Sequence, residues 1–176
     1  MSNDSSRPYQ VTIVCLGNIC RSPIGEVVLR SRVHDAGLGD RIRVDSAGTG
    51  DWHVGQGANT RSIDVMDANG YRHDHRARQI NETWFTAIDL VIAMDTSNYA
   101  DLGHLIPTSA RHVELRMLRS FDPSLNDIAE PDPRLDVPDP YHGTDEDFLT
   151  VLRMIERARD GLIDRLASRL ATATNS

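Results

Sequence analysis

The stretch Tyr9–Pro23, YQVTIVCLGNICRSP, decides how the rest of the chain is read. Its first half, 9–16, carries Val11, Ile13 and Val14 and reads as a buried first strand. A short turn containing Gly17 follows. From Ser22 to about Gly37 the pattern becomes helical, with Ile24, Val27 and Val28 on one face and Gly37 as the stop. Ser22 is the expected N-cap and Pro23 suits the first helical position.

A phosphate dianion would find several attractive features in that turn. Gly17 and Asn18 tolerate left-handed backbone angles, which lets successive N–H groups turn inward as an anion nest. The helix behind the turn adds its own orphan donors and positive partial charge. Arg21 can offer a planar, two-pronged contact to phosphate oxygens. Leu16, Gly17, Asn18, Ile19 and Cys20 are therefore read as the phosphate-binding segment, with Leu16 on the pocket floor. The same field stabilises a cysteine sulfur as thiolate, which makes Cys15 an anionic nucleophile set beneath the phosphorus. The rival reading makes Cys15 a small core residue and Arg21 a solvated helix start.

Working outward, a second strand fits 41–47 and runs into the turn-rich GTGDWHVGQG. A short helix suits 60–69. The nearly all-apolar run 88–94, IDLVIAM, reads as a strand covered on both faces. A helix over 96–105 and a shorter strand near 111–115 follow. Residues 122–144 form a long loop rich in Pro and Asp, a length that is often functional. The last element runs from Thr144 to about Leu170, with Phe148, Leu152, Ile155, Leu162, Leu166 and Leu170 at helical spacing. Thr144 and Asp147 give a capping pattern at its start. Gly161 weakens its middle by about 1 kcal/mol relative to Ala. Strands alternating with helices predict a doubly wound α/β fold, Rossmann-like or flavodoxin-like, with four parallel strands and helices on both faces. Ligands in such sheets bind beyond the carboxyl ends of the strands, where the turn after the first strand lies.

Composition agrees with one domain over residues 1–176, its core about 9–170 between polar tails. The first ten residues lack the apolar stretch of a secretory signal, and no run approaches the roughly 18 apolar residues of a membrane span. A soluble, cytoplasmic protein is expected, a monomer or weak dimer without a membrane partner. The net charge of -7 argues against nucleic-acid binding. All 19 basic residues are Arg; without lysine, a nucleotide-binding glycine loop of the P-loop kind is excluded. The two cysteines, Cys15 and Cys20, describe neither a disulfide framework nor a zinc site. No metal or other cofactor is expected.

The segment VCLGNICRSP resembles the phosphate-binding loop of the low-molecular-weight protein tyrosine phosphatases, and further matches are spread over residues 9–170 in the family's order. They include Asp45-Ser46-Ala47-Gly48-Thr49, His75-Arg76-Ala77-Arg78-Gln79, Met94-Asp95-Thr96-Ser97-Asn98 and Asp139-Pro140-Tyr141. The resemblance implies that Ser46 supports Asn18, that Ser22 donates a hydrogen bond to the departing thiolate, and that Glu26 and His75 pair behind the loop. Such a pair would raise the histidine's pKa.

The resemblance also selects the proton donor. Asp122, Asp132, Asp136 and Asp139 all lie in the 122–144 loop, and composition does not choose among them. Only Asp139 precedes Pro-Tyr and the run into the last helix. Charges near the thiolate and a bound phosphate would favour its protonated form. The implied reaction is hydrolysis of phosphotyrosine in a protein substrate through a cysteinyl-phosphate. Tyr141 and Trp52 are expected as aromatic walls, Trp52 otherwise being an ordinary loop anchor. Two residues depart from the family pattern: His142 stands where a second tyrosine is common, and Gly25 where alanine is usual, which should loosen the helix's first turn. Cys20 either pairs with Cys15 on oxidation or packs beneath the loop. The histidines other than His75 and His142 are read as surface residues. An arsenate reductase of the same fold would need two further thiols, and beyond Cys20 there is none; a non-enzymatic phosphopeptide-binding module would need no acid at Asp139.

Overall fold

A computed structural model of the protein describes residues 7–174; most of the polar N-terminal stretch and the last two residues lie outside that range. Four parallel strands form the sheet: β1 (Tyr9–Cys15), β2 (Ile42–Gly48), β3 (Leu90–Ala93) and β4 (Glu114–Met117), in the order β2-β1-β3-β4. Four helices connect and cover them: α1 (Arg21–Asp35), α2 (Thr60–Ala68), α3 (Thr96–Leu105) and α4 (Asp145–Thr174). The expected doubly wound architecture is present. The chain leaves β1 toward β2 on one side and later returns to β3 on the other. The end of β1 is thus the switch point where such sheets open a crevice.

Both faces of β1 are buried, as its apolar run requires. Val11 and Ile13 pack with Ile24 and Val28 of α1 and with Phe148, Leu152 and Ile155 of α4. Val14 faces the other way, with Phe85, Val91 and Leu102. The register places Cys15 opposite Gly48, so the turns after β1 and β2 emerge side by side.

Three expectations are corrected. The fourth strand lies at Glu114–Met117 rather than 111–115. The 122–144 loop is not structureless: 3₁₀ turns occupy Pro123–Leu125 and Pro133–Leu135, each capped by the Asp before its proline. Asp122 and Asp132 are therefore turn formers. Finally, Gly25 is less a loosened turn than a close approach. A Cβ there would meet Met94 Cε at 2.8 Å and Ile13 Cγ2 at 3.2 Å, so Met94 fills the space that an alanine would take. A 3₁₀ segment over Glu82–Thr86 was not expected.

Helix α4 begins as its pattern predicts. The Thr144 N–H donates to Asp147 Oδ2 at 2.6 Å, and the Asp147 N–H returns to Thr144 Oγ1 at 3.4 Å. Its apolar stripe, from Phe148 to Leu166, is buried. Gly161 does not interrupt it, because the missing side chain is a docking feature: a Cβ would lie 2.1 Å from the backbone oxygen of Phe121. Replacing Gly by Ala inside a helix ordinarily gains about 1 kcal/mol. Here Gly161→Ala should instead destabilise the protein by about 1–3 kcal/mol, the cost of overpacking against backbone. Urea unfolding checks the sign, and a stabilised variant would disprove the packing argument.

Candidate active site

The segment between β1 and α1 holds its shape by pointing its carbonyls outward. Cys15 O accepts from Thr49 N at 3.0 Å, Leu16 O from Gly50 N at 2.9 Å, and Ile19 O from Asn59 N at 2.8 Å. Asn18 O accepts from His75 Nε2 at 2.6 Å, and Cys20 O from Ser62 Oγ at 3.3 Å. Among the described residues, the backbone N–H groups from Leu16 to Cys20 donate no hydrogen bond. With every carbonyl from Cys15 to Cys20 except that of Gly17 tied from behind, the loop leaves those donors for its concave side, the backbone arrangement of an anion nest.

Asn18 fixes the curvature. It is the single described non-glycine residue with positive φ, at 56°, and it is fully buried. Its Nδ2 donates to Ser22 Oγ at 2.8 Å and Ser46 Oγ at 2.9 Å, and its Oδ1 accepts from Arg78 N at 2.9 Å. The expected support of Asn18 by Ser46 is therefore present, but the side chain faces away from the cavity. Behind it, Gly48 permits the crossing of the two turns: a Cβ there would stand 2.7 Å from Leu16 O and 3.1 Å from Asn18 N.

The cavity in front of the loop has a volume of about 260 Å³. Cys15, Gly17, Ile19, Cys20 and Arg21 line its base, and Trp52, Tyr141 and Asp139 its sides. Leu16, 43% exposed, stands at the rim instead of on the floor. His53 and His142 also line the mouth, so His53, a half-buried surface residue, borders the cavity, a placement that sequence reading did not give it. Its ring lies 6.4 Å from that of Tyr141, and His142 packs edge-on to Tyr141 at 4.8 Å.

Ser22 is not the N-cap. Helix α1 begins at Arg21, Cys20 is the capping position, and no side chain caps the helix; Pro23 accordingly sits in the third helical position. The Ser22 hydroxyl lies 3.0 Å from Cys15 Sγ. Its oxygen accepts from Asn18, so its proton can point either to the sulfur or to Ala47 O, which is farther away at 3.4 Å.

Arg21 is buried and held in one orientation. Its Nη1 donates to Asp95 Oδ2 at 2.6 Å and to Val137 O at 2.9 Å, while Nη2 stands 3.5 Å from Asp139 Oδ2. Burial works against its charge, but Cys15, Asp95 and Asp139 outweigh that effect and hold its pKa above the ordinary value. Sequence reading noticed the segment containing Asp95 without giving that residue a role; its signal was the acid directly before Thr96, where it also caps α3 through Asn98 N at 2.7 Å. Burial pushes the Cys20 thiol up to about 12, with the charges of Cys15 and Asp139 adding to the shift. Both cysteines are free thiols, and Cys20 packs in the core beneath the loop.

Glu26 and His75 do meet behind the loop, with Oε2 and Nδ1 3.8 Å apart, yet the expected pKa direction is reversed. Burial lowers the pKa of His75, and although the bond to Asn18 O opposes this, the charges of Arg78 and Arg30 reinforce it. Glu26 is already engaged by Arg30 and by the Ser46 hydroxyl.

Taken together, the fold and loop define an α/β protein with a cysteine seated at the end of the first strand, in a turn whose amides are left unpaired. A family model described as low molecular weight phosphotyrosine protein phosphatase matches residues 10–172. Identity is 48% over 155 residues with a low molecular weight protein-tyrosine-phosphatase of Streptomyces coelicolor, covering 88% of this chain and 92% of that one. It is 47% over 166 residues with low molecular weight protein-tyrosine phosphatase A of Mycobacterium tuberculosis, covering 94% and 96%. A solved protein tyrosine phosphatase from Entamoeba histolytica, with Hepes in its active site, aligns with TM-score 0.81 at 32% identity over 91% of this chain and 97% of that one. The chain belongs to the low molecular weight phosphotyrosine protein phosphatase family, an enzyme family.

A buried neutral histidine has a consequence for stability. The His75 pKa lies below 6.5 in the folded state, so the unfolded chain takes up that proton first as pH falls. This contribution to stability is fully present above pH 6.5 and declines as pH drops from there toward the folded pKa. His75→Gln keeps a donor for Asn18 O but has no proton to gain. Its unfolding free energy should fall less than the wild type's on acidification through that window; an identical slope would show that His75 does not titrate as described.

Proposed function

We propose that the protein hydrolyses phosphotyrosine in proteins, and simple aryl phosphates, by two in-line displacements on phosphorus. What carries this reading is the loop whose carbonyls are tied outward, leaving its amides to face the Cys15 side of the cavity. In the first step Cys15 Sγ attacks phosphorus, the bond to the tyrosyl oxygen breaks, and Asp139 gives that oxygen a proton. In the second, Asp139 takes a proton from water as its oxygen attacks the cysteinyl-phosphate, and the sulfur leaves with the Ser22 proton directed at it. The loop amides and Arg21 stabilise the three equatorial oxygens in both transition states. With Nη1 committed to Asp95 and Val137, Arg21 presents its Nε–Nη2 edge for a bidentate contact. Asp139, with its side chain 45% exposed, borders the cavity where a leaving group exits. Trp52 and Tyr141 would flank the phenyl ring.

Charge stabilisation and proton transfer are both assigned to the chain's own groups, so we read the enzyme as working without a metal or other cofactor. We place it in the reducing cytoplasm as one domain, monomeric or weakly dimeric. The free thiols of Cys15 and Cys20 support that compartment, and no described helix is long and apolar enough to cross a membrane.

Two variants test the chemistry. Cys15→Ser should abolish turnover of p-nitrophenyl phosphate while retaining the binding of inorganic phosphate, and normal turnover would end the nucleophile assignment. Asp139→Ala should lower kcat/KM by about 10²–10⁴-fold for phenyl phosphate, whose leaving group needs a proton. The loss should be much smaller for p-nitrophenyl phosphate, and equal losses would move the acid elsewhere.

A further inference from the structure

The proton donor lies on a loop suspended between two anchors. At its start, Asp136 Oδ1 accepts from Thr96 N at 2.7 Å and the Val137 N–H donates to Met94 O at 2.8 Å, which fixes the loop to the end of β3 and the start of α3. At its end, the guanidinium of Arg61 donates through Nη1 to Gly143 O and through Nη2 to Tyr141 O, the latter at 2.8 Å. Asp139 stands between these anchors, and its own Oδ1 accepts from the Tyr141 N–H at 3.1 Å. The other carboxyl oxygen faces Arg21 Nη2 at 3.5 Å, so whatever fixes Tyr141 sets the orientation of the carboxyl group together with Arg21.

Arg61 is well made for that task. Its guanidinium lies over the ring of Phe148, 4.7 Å from the centroid, and Phe148 is fully buried. The stack sets the plane of the guanidinium, so its two donors reach the two carbonyls as a rigid fork. The helix that carries it is tied to the other half of the site. Asn59 caps α2, its Oδ1 accepting from the Arg61 N–H at 2.9 Å, and the Asn59 N–H holds Ile19 O at 2.8 Å. One turn further on, Ser62 Oγ holds Cys20 O at 3.3 Å. The first turn of α2 thus grips the phosphate-binding loop with Asn59 and Ser62 and the acid loop with Arg61.

We propose that Arg61 is a positioning residue for the proton transfer: through Tyr141 and Gly143 it sets the carboxyl of Asp139 at a fixed distance from the loop that holds Cys15. The inference rests on Asp139 being the acid. Arg61 does not line the cavity and acts only through the loop. Its removal should therefore damage the step that needs a proton and spare the binding of the oxyanion. Arg61→Ala should lower kcat/KM for phenyl phosphate about 10- to 100-fold, the scale of an ångström-sized misplacement of a reacting group. For p-nitrophenyl phosphate the loss should be several-fold smaller. Competitive inhibition by inorganic phosphate should be unchanged. Placed on top of Asp139→Ala, the same substitution should cost nothing further on phenyl phosphate, since there is no carboxyl left to position. Arg61→Lys, which keeps the charge without the planar fork, should recover part of the loss and serves as the test if the alanine variant does not fold.

Equal losses on the two esters, a parallel weakening of phosphate inhibition, unchanged kinetics, or an additional loss in the Asp139→Ala background would each overturn the proposal. The Asp139→Ala control separates the two layers. If it is selective for leaving group and the Arg61 variants are not, the positioning role fails alone. If Asp139→Ala is itself unselective, the acid assignment fails and takes the role of Arg61 with it.

Discussion

The architecture of the site follows from one requirement: a short loop must leave its amides unpaired on one side. Nearly all buried backbone donors in folded proteins find a partner, so a loop that declines to use its own cannot be held by internal hydrogen bonds. It has to be held from outside, and Asn18 is the centre of that support. The left-handed conformation is unfavourable for most residues with a side chain, and asparagine tolerates it best after glycine. Glycine would adopt it more cheaply but could not provide the carboxamide that reaches Ser22, Ser46 and the backbone of Arg78. These partners belong to α1, β2 and the segment before β3, and His75 adds a bond to the main-chain carbonyl. One buried side chain thus couples loop curvature to the packing of several elements. Burial matters here because hydrogen bonds of this kind are strong when fully satisfied and costly when one is missing.

The sheet supplies the geometry that support needs. Parallel pairing of β1 with β2 brings Gly48 level with Cys15, and the absence of a side chain lets the second turn pass against the first. The amides of Thr49 and Gly50 then take up Cys15 O and Leu16 O as an extension of the ladder. The loop is thereby continuous with the sheet at one end and with α1 at the other. Its sulfur sits at the opening of an uncapped helix, where an anion rather than a side chain is the natural partner for the first amides.

How much of this was legible in the sequence tracks the distance over which each feature acts. The Cys15–Arg21 loop, the strand before it and the helix after it fall within one continuous stretch, and local chemistry was enough to read them. Helix α4 was equally clear, because a capping pair and a long apolar stripe are local signals; only the meaning of Gly161 was lost, since its reason is the backbone of Phe121. Asp139 could be chosen only by resemblance, because four acids in one loop look alike: each accepts a backbone N–H, and only the fold shows that Asp139 alone of the four borders the cavity. Asp95 and Arg61 reach their partners across 74 and 82 positions, beyond any periodicity. His75 shows a different limit: its acidic neighbour was identified, but the sign of its pKa shift depends on burial and on arginines brought in by the fold. The N-cap misreading of Ser22 has a similar origin, since its hydroxyl is claimed by Asn18 and Cys15.

A protein of net charge -7 that receives a phosphate dianion must do so against its own average field. Screening limits that field to about 8 Å at physiological ionic strength, and within that distance the balance is set by a handful of groups. Arg21 is the nearest cation, but Asp95 is hydrogen-bonded to it at 2.6 Å, which cancels much of its net charge. The ion pair is therefore poorly explained as a source of attraction and well explained as a device for orientation. It holds the guanidinium so that one edge faces the loop, at the expense of long-range pull. Most of the attraction then falls to the fixed dipoles of the loop and helix amides, which act at short range and only on an anion that fits among them. A site built this way gains little from charge alone and much from shape. Such an arrangement favours a tetrahedral oxyanion that fits among the amides over an acidic group that merely approaches the mouth.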